Sequence, residues 1–172
     1  MTTADPRPDD PHPDDPDLRA VAHGVLDANR YLVLGTAERD GRPRVSPVYF
    51  THDRYRDIYW VSSPVSTHSG NLAADGRVAL VVFDSSRPPG QSEAVYLTAT
   101  AAEVAPGELA DACAVAFATV GEGARPFAPE ELSGDADLRL YRATVETAQV
   151  HVRGRHPQWG SGIDRRVTVR LG

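Results

Sequence analysis

The sequence of 172 residues contains a single cysteine, Cys113, and no long apolar run. One cysteine excludes an internal disulfide and is typical of a reducing compartment, so we expect a cytoplasmic protein. No apolar segment approaches the roughly 20 residues that a helix needs to cross a bilayer. The first residues also lack the basic start and apolar core of a secretory signal. We therefore expect no membrane partner.

Excess charge is also scarce outside the N-terminus. The net charge is −6, and the six Asp and one Arg of residues 1–17 account for −5 of it, which leaves about −1 for the remainder. So small a balance gives no electrostatic basis for binding nucleic acid or an anionic membrane. The Asp- and Pro-rich tail, residues 1–17, is predicted to be disordered. Residues 18–172 are long enough for one domain with a substantial core.

Patterns typical of metal sites or nucleophilic catalysis are missing as well. The six His are scattered, and the five-residue separation of His151 and His156 matches no standard ligand spacing, so no metal site is predicted. No nucleophile–base pair or pair of carboxylates stands out, and the catalytic residues stay unassigned. Cys113 lies in the apolar stripe of a predicted helix, where a core position is expected.

What the sequence does contain is a succession of short apolar strands. Helices are predicted over Asp17–Asn29 and Pro106–Val120 and between two of the strands. Six or seven strands with short connections favour an antiparallel barrel with peripheral helices, a mainly β (α+β) fold, over a parallel α/β sheet. The predicted strands are Tyr31–Ala37, Arg44–His52, Ile58–Ser62, Arg77–Phe83, Ala94–Val104, Leu138–Val152 and Arg166–Leu171.

Two of these strands carry further expectations. Arg77–Phe83 has a continuous apolar core, which predicts burial on both faces. Pro47 cannot donate to a ladder, so its strand is predicted to lie at an edge or to bulge there. The interrupted ladder either leaves backbone groups free to bond a planar heterocycle or simply protects the edge.

The chain is organised around residues 58–83, IYWVSSPVSTHSGNLAADGRVALVVF. Ser63 is a suitable helix N-cap and Pro64 suits the first helical position. Gly76 is expected to end this helix in a left-handed conformation. Backbone N–H groups at such a helix start can hold a phosphate, although the same side chains could serve only as caps. The polar groups expected around this start are the hydroxyls of Ser62, Ser63, Ser66 and Thr67 and the imidazole of His68.

Three segments resemble the pyridoxamine-phosphate-oxidase-like flavin split barrels. They are YLVLGTAERDGRPRVSPVYF, IYWVSSPVSTHSGNLAADGRVALVVFD and AVYLTATAAEV, and the resemblance extends from about Leu18 to Val152. It implies a six-stranded antiparallel split β-barrel that forms a homodimer. It also implies FMN, or in some branches the deazaflavin coenzyme F-420, in a groove between the subunits.

The resemblance also implies cofactor-binding residues. Thr67 and His68 stand where the family usually has two cations, so Arg44, Arg77 or Arg87 would have to compensate. Gln91 or Glu93 would reach across from the second subunit. The implied set comprises the flavin-facing strand (Arg44, Val45, Ser46, Pro47, Val48, Tyr49), the end of the middle strand (Trp60, Val61, Ser62), and the phosphate turn with its helix (Ser66, Thr67, His68, Asn71).

Several functions are compatible with this resemblance. The first is a flavin-dependent oxidoreductase acting on an unassigned small molecule, with an aromatic wall from Trp60, Tyr49 and Tyr59. The sequence around Trp159 and Arg165–Arg166 lacks the family's C-terminal substrate pattern, so oxidation of pyridoxine phosphate is not expected. The alternatives are a deazaflavin-dependent reductase and a non-catalytic dimer. That dimer could bind flavin, could bind haem through His52, His68 or His151, or could have no cofactor.

Overall fold

Alternating apolar and polar residues produce eight strands that join in a single antiparallel sheet. The computed structural model describes residues 12–121 and 123–172. The strands are β1 (Tyr31–Ala37), β2 (Pro43–Tyr49), β3 (Thr51–Asp53), β4 (Asp57–Ser62), β5 (Arg77–Phe83), β6 (Ala94–Glu103), β7 (Arg139–Val152) and β8 (Arg165–Val169). The helices are α1 (Pro16–Ala28), α2 (Thr67–Ala74) and α3 (Leu109–Ala116), with 3-10 turns at Pro106–Glu108 and Pro129–Leu132.

The eight strands form a sheet that curls into a half-barrel. Their order runs β2-β1-β5-β6-β7-β4-β3, with β8 beside β7. The 14-residue β7 is long enough to pair with β4 near its start and with β8 near its end. The β6–β7 pairing shifts register between Thr98 and Ala99, where Glu146 of β7 is the extra residue, and this bulge increases local twist and bending. The predicted split barrel with peripheral helices is confirmed, and β3 is an additional strand because the predicted strand Arg44–His52 is divided into β2 and β3.

Helix α1 covers one side of the main core. Its residues Leu18, Ala22, Val25 and Leu26 are buried at the spacing of a single helical stripe, which confirms the predicted helix. The helix begins at Pro16, one residue before the predicted start, and Asp15 caps it by accepting from two backbone N–H groups. Of the predicted tail over residues 1–17, residues 1–11 lie outside the described residues.

A second, smaller core lies between α3 and the sheet. Cys113 is buried in it together with Leu109, Ala116 and Leu140, as predicted from its apolar stripe. Helix α3 ends at Ala116 rather than at the predicted Val120. The last turn tightens, with Ala118 N–H donating to the carbonyl of Val115, and the chain then leaves the helix axis.

Strand β5 is buried on one face only. Val78, Leu80 and Val82 face the core, whereas Arg77, Ala79 and Phe83 are exposed. The prediction of burial on both faces is therefore wrong for the single chain, because no described segment covers the face of β5 that carries Arg77, Ala79 and Phe83. The prediction for Pro47 is confirmed, since β2 is an edge strand that pairs only with β1. Within the described ranges, no helix is long and apolar enough to cross a membrane.

Candidate functional site

The segment that follows β4 folds as a tight turn and then a helix. Ser66 N–H donates to the carbonyl of Ser63 at 3.1 Å, which closes the turn. Helix α2 then begins at Thr67, with Ser66 as its N-cap. The prediction of Ser63 as cap and Pro64 as first helical residue is wrong by one turn. The Ser63 carbonyl closes the turn, whereas the Ser66 hydroxyl is the one that reaches a helical N–H, that of Ser69.

Gly76 follows this helix but is not left-handed. Asp75 is the C-cap, and its carboxylate accepts from the backbone N–H of Arg77. Gly76 is required for a different reason, because a Cβ there would lie 2.7 Å from the carbonyl oxygen of Ala101. The predicted role of Gly76 as a left-handed stop is therefore wrong, and its function is to let two backbone segments approach closely.

Three polar side chains converge at the start of α2. His68 Nε2 lies 2.9 Å from Ser62 Oγ and 3.1 Å from Ser66 Oγ. The Ser66 hydroxyl donates to Ser69, so its contact with the ring requires that the proton be on Nε2. The ring N–H then also faces Ser62, whose own hydroxyl proton stays available to a ligand. Burial lowers the pKa of His68, which keeps the imidazole neutral at pH 7.

A buried hydrogen bond fixes α2 against the sheet beside this cluster. Asn71 Nδ2 donates to Thr36 Oγ1 at 3.0 Å. Thr36 lies directly opposite Arg44 in the β1–β2 pair, so both side chains leave the same face of the sheet. The structure thus brings Arg44 and Asn71, two predicted site residues, to the side of the sheet that carries α2.

The arginines expected to compensate for the missing cations are all paired with carboxylates. Arg44 forms a short ion pair with Glu38. Arg77 pairs with Asp75 at 2.7 Å, and Arg87 with Asp84 at 3.3 Å. Hydrogen bonds from the Arg77 side chain and backbone hold the pKa of Asp75 at about 2. The start of α2 therefore offers hydroxyls, a neutral imidazole and backbone N–H groups rather than free positive charge.

The predicted residues of β2 divide between its two faces. Val48 is buried in the main core and Ser46 is half-buried, whereas Val45 and Pro47 are exposed on the opposite face. Tyr49 is half-buried, and its hydroxyl accepts the backbone N–H of Gly121 at 3.0 Å. The side chains of β2 therefore cannot all contact one ligand, because Val45 and Pro47 lie on the face opposite Ser46 and Val48.

The three aromatic residues expected to form a wall belong to different parts of the packing but all line one cavity. Trp60 is buried in the main core, where its indole stacks on Tyr141 with ring centroids 5.7 Å apart. Its Nε1 has no hydrogen-bond partner among the described residues. Tyr59, the next residue, belongs to the smaller core, and burial raises the pKa of its phenol. Tyr49, Tyr59 and Trp60 thus meet at a single cavity.

This cavity lies between the sheet and the segment that follows α3. Its volume is about 340 Å³, at the lower end of the roughly 300–1,000 Å³ typical of small-molecule sites. We call it the aromatic cavity. Predicted residues Tyr49, Trp60 and Val61 are among those that line it. Other lining side chains are Tyr59, Phe117, Val120, Phe127 and Leu140.

A second polar cluster joins α1 to the β3–β4 hairpin. The Tyr55 ring stacks between His23 and His52, with centroid distances of 3.6 and 4.6 Å. Asp27 accepts hydrogen bonds from the Tyr55 hydroxyl and from His52 Nε2, each at 3.0 Å. Tyr55 follows Arg54 in a left-handed turn, which aims its side chain back towards α1. The sequence indicated only a polar loop here. In the described ranges, no group of three or more His, Cys, Asp or Glu is arranged to hold a metal ion.

A half-barrel of antiparallel strands, with one strand running into a serine-capped helix, defines the class of split-barrel proteins. The sequence model for pyridoxamine 5'-phosphate oxidase matches residues 18–152. The chain therefore belongs to the pyridoxamine 5'-phosphate oxidase family. No protein of curated function matches the sequence.

Solved structures show the same fold in proteins with different names. A haem-binding protein from Mycobacterium smegmatis superposes with a TM-score of 0.66 at 21% identity, covering 89% of this chain and 58% of that one. An FAD-binding protein from Mesorhizobium loti gives 0.55 at 20% identity, covering 74% and 89%. An F420 reductase gives 0.52 at 18% identity, covering 73% and 94%. This chain thus spans just over half of the mycobacterial protein, and these similarities establish the fold.

Proposed function

We propose that the protein is a flavin-dependent oxidoreductase that binds FMN with its phosphate at the start of α2. The observation that carries the proposal is the convergence of Ser62, Ser66 and His68 at this helix start, with both serine hydroxyls within 3.1 Å of the imidazole. Backbone N–H groups at a helix N-terminus favour a bound anion. Family membership supports the same location.

The residues present fit a phosphate, and each has a distinct task. Ser62 can donate its hydroxyl proton to a phosphate oxygen, because its contact with His68 uses only its lone pair. Thr67, which is exposed at the first helical position, adds a second hydroxyl. Asn71 holds α2 in place through Thr36 rather than reaching the anion itself. A bound flavin would supply the electron transfer, which is consistent with the absence of a nucleophile–base pair in the sequence.

The missing cations distinguish this site from the usual family pattern. Arg44 lies on the α2 side of the sheet but is paired with Glu38. The Arg44 side chain can contact a bound phosphate only if its ion pair with Glu38 breaks. We therefore expect weaker binding of a phosphate than with two unpaired cations, since hydrogen bonds to charged partners are the stronger ones.

A second copy of the chain is proposed to cover the open face of the sheet. Val45 is 71% exposed, Tyr31 62% and Phe83 42%, and all three lie on strands β1, β2 and β5. Apolar side chains clustered on one face favour an interaction surface over solvent. The apolar sequence of β5, which predicts burial on both faces, is consistent with a homodimer in which this face is buried. Residues Gln91 and Glu93 would then belong to the subunit boundary.

Haem is the second candidate, because a protein with that ligand in its name has the same fold. An axial ligand would have to come from His52, His68 or His151. Each of these already has a partner. His52 contacts Asp27, His68 contacts two serines, and His151 lies 3.5 Å from Asp164. Haem binding would have to break one of these contacts, whereas FMN phosphate can use the cluster as it stands. Flavin is therefore the preferred ligand.

The decisive experiment is to identify the small molecule that co-purifies with the full chain. An absorption spectrum with mass analysis distinguishes FMN, coenzyme F-420 and haem, and a nicotinamide donor then tests reduction of a bound flavin. FMN titration of purified protein should give an affinity that Ser62→Ala lowers about tenfold or more, the loss expected for one hydrogen bond to a charged group. The double change of Thr67 and His68 to Ala should weaken binding further while the protein stays folded.

The matched control is Ser85→Ala, which removes the same hydroxyl from an exposed loop. It should bind FMN like the unmodified protein. Equal affinities for the Ser62 and Ser85 variants would show that the phosphate does not lie at α2. Sedimentation of the same samples gives the oligomeric state, and a strictly monomeric species would contradict the homodimer.

A further inference from the structure

Ser69 places a buried hydroxyl in the first turn of α2, where helix formation does not require one. The residue is 4% exposed, and alanine would favour the helix more strongly and would bury no polar group. Thr36 and Asn71, the polar pair buried between α2 and the sheet, bond to each other rather than to Ser69. The Ser69 hydroxyl must therefore be explained by its own hydrogen bonds.

Ser69 accepts the hydroxyl proton of Ser66. Ser66 Oγ donates to Ser69 Oγ at 2.9 Å and accepts from the backbone N–H of Ser69 at 3.4 Å. A hydroxyl has one proton and two lone pairs, so Ser66 keeps a single lone pair for another partner. That partner is Nε2 of His68, at 3.1 Å. Because the Ser66 proton is committed to Ser69, Ser66 can only accept from the ring, and Nε2 must carry the ring proton.

Tyr141 keeps these hydrogen bonds pointing in one direction. Burial raises the pKa of its phenol, whereas a hydrogen bond from the Ser69 side chain lowers it, so Ser69 is the donor to Tyr141. Ser69 therefore cannot return its proton to Ser66. The Tyr141 ring is buried and stacks on Trp60 with ring centroids 5.7 Å apart, which fixes the position of its hydroxyl. A chain of hydrogen bonds thus connects the main core with the start of α2.

The position of the ring proton decides what Ser62 can offer to a ligand. Ser62 Oγ lies 2.9 Å from the same Nε2, so it accepts the ring proton and keeps its own proton for a ligand. If the ring proton were on Nδ1, Nε2 would be an acceptor, and Ser62 or Ser66 would donate to it. The start of α2 would then have one hydroxyl donor fewer for an anion.

We infer that Ser69 is a positioning residue: by accepting from Ser66 and donating to Tyr141, it holds His68 in the Nε2–H form and keeps the Ser62 hydroxyl available as a donor. Ser69 acts through its neighbours and does not itself touch the ligand. The consequence for FMN rests on the proposed function, whereas the assignment of the ring proton does not.

The test observes the ring proton directly. Long-range proton–nitrogen NMR correlation spectra of the isotope-labelled full chain at pH 8 distinguish the two neutral forms of an imidazole. His68→Gln identifies the His68 signals by their loss. The unmodified protein should show the Nε2–H form. Ser69→Ala keeps the backbone N–H that Ser66 caps but removes the acceptor of the Ser66 proton. Ser66 can then donate to Nε2, so the population of the Nδ1–H form should rise.

The matched control is Thr36→Val, which removes another buried hydroxyl beside α2 that lies outside this chain of hydrogen bonds. It should leave His68 in the Nε2–H form. Thermal melting verifies that each variant folds. An Nδ1–H ring in the unmodified protein, or an unchanged ring in Ser69→Ala, would overturn the inference.

FMN titration of the same samples separates the two proposals. Ser69→Ala should bind FMN about two- to tenfold more weakly, the loss expected for one neutral hydrogen bond, although Ser69 is buried. Equal FMN affinity in Ser69→Ala and the unmodified protein would overturn the positioning role. Absence of FMN binding to the unmodified protein would instead refute the proposed function, while the spectra still decide whether Ser69 sets the ring proton.

Discussion

The Oγ atom of Ser62 lies 2.9 Å from Nε2 of His68, which joins the last residue of β4 to the first turn of α2. The two residues are six positions apart, and the turn between them is closed by Ser63 and Ser66. This contact holds the imidazole where burial lowers its pKa. The cluster consequently has a pH response that can be measured without any ligand.

Acidification should destabilise the protein partly through His68. Its pKa is lowered from an ordinary value of about 6.5, so the folded state binds fewer protons than the unfolded state. This contribution to stability is complete above pH 6.5 and is lost as the pH falls from there through the lowered pKa. Urea unfolding at pH 7.5 and 5.5 should show a smaller drop for His68→Gln than for the unmodified protein. An identical drop in both would contradict the assignment.

Loss of the Asn71 amide should weaken the attachment of α2. Asn71→Ala leaves the buried hydroxyl of Thr36 without its partner, which should lower the free energy of unfolding by about 1–3 kcal/mol. Replacing both residues with apolar ones, as Asn71→Leu with Thr36→Val, should cost less than the sum of the two single changes. Chemical denaturation of the unmodified protein, Asn71→Leu, Thr36→Val and the double variant measures the coupling between the two side chains. Strictly additive losses of the free energy of unfolding would refute that coupling.

Two glycines should respond in opposite directions to alanine. Gly76→Ala places a methyl group 2.7 Å from the carbonyl oxygen of Ala101, so β6 or the end of α2 must move, and we expect a loss of at least about 2 kcal/mol. Gly24→Ala lies within α1 with open space around it and should stabilise by about 0.5–1 kcal/mol. Melting temperatures of both variants check the pair, and a Gly76→Ala protein that melts no lower than the unmodified protein would show that the close approach is not tight.

The Tyr55 cluster should contribute to the attachment of α1. Tyr55→Phe keeps the ring between the two histidines but removes the hydrogen bond to Asp27, which should cost about 0.5–1.5 kcal/mol. Tyr55→Ala also removes the stacking with His23 and His52 and should cost more. Hydrogen exchange of the α1 amides measures the effect. Unchanged protection in the alanine variant would mean that the cluster does not hold the helix.

Most of the fold could be predicted from the sequence because it follows from local patterns. Strand β1 and helix α1 show period-2 and period-3.6 apolar patterns that the structure reproduces. The errors lie where long-range contacts decide. The burial of β5 depends on what covers the sheet, and the need for Gly76 depends on Ala101, which is 25 positions away.

The candidate site was predictable in outline but not in detail. Ser62, Ser66 and His68 do converge, since all three belong to one strand–turn–helix unit. The helix start was misplaced because Ser63 and Ser66 are equally good caps, and only the turn geometry selects between them. The aromatic cavity combines β2, β4, β7 and the segment after α3, and no local pattern indicates that these parts of the chain meet.

The position of Pro47 on an outermost strand has a consequence for aggregation. Pro43 and Pro47 together deprive the seven-residue β2 of two backbone donors, and β3 at the other end of the order has only three residues. Neither β2 nor β3 is therefore a good template for pairing with a strand of another molecule, which is how β-aggregation usually begins. Copies of this chain should therefore associate through their sheet faces rather than through the edges of β2 and β3.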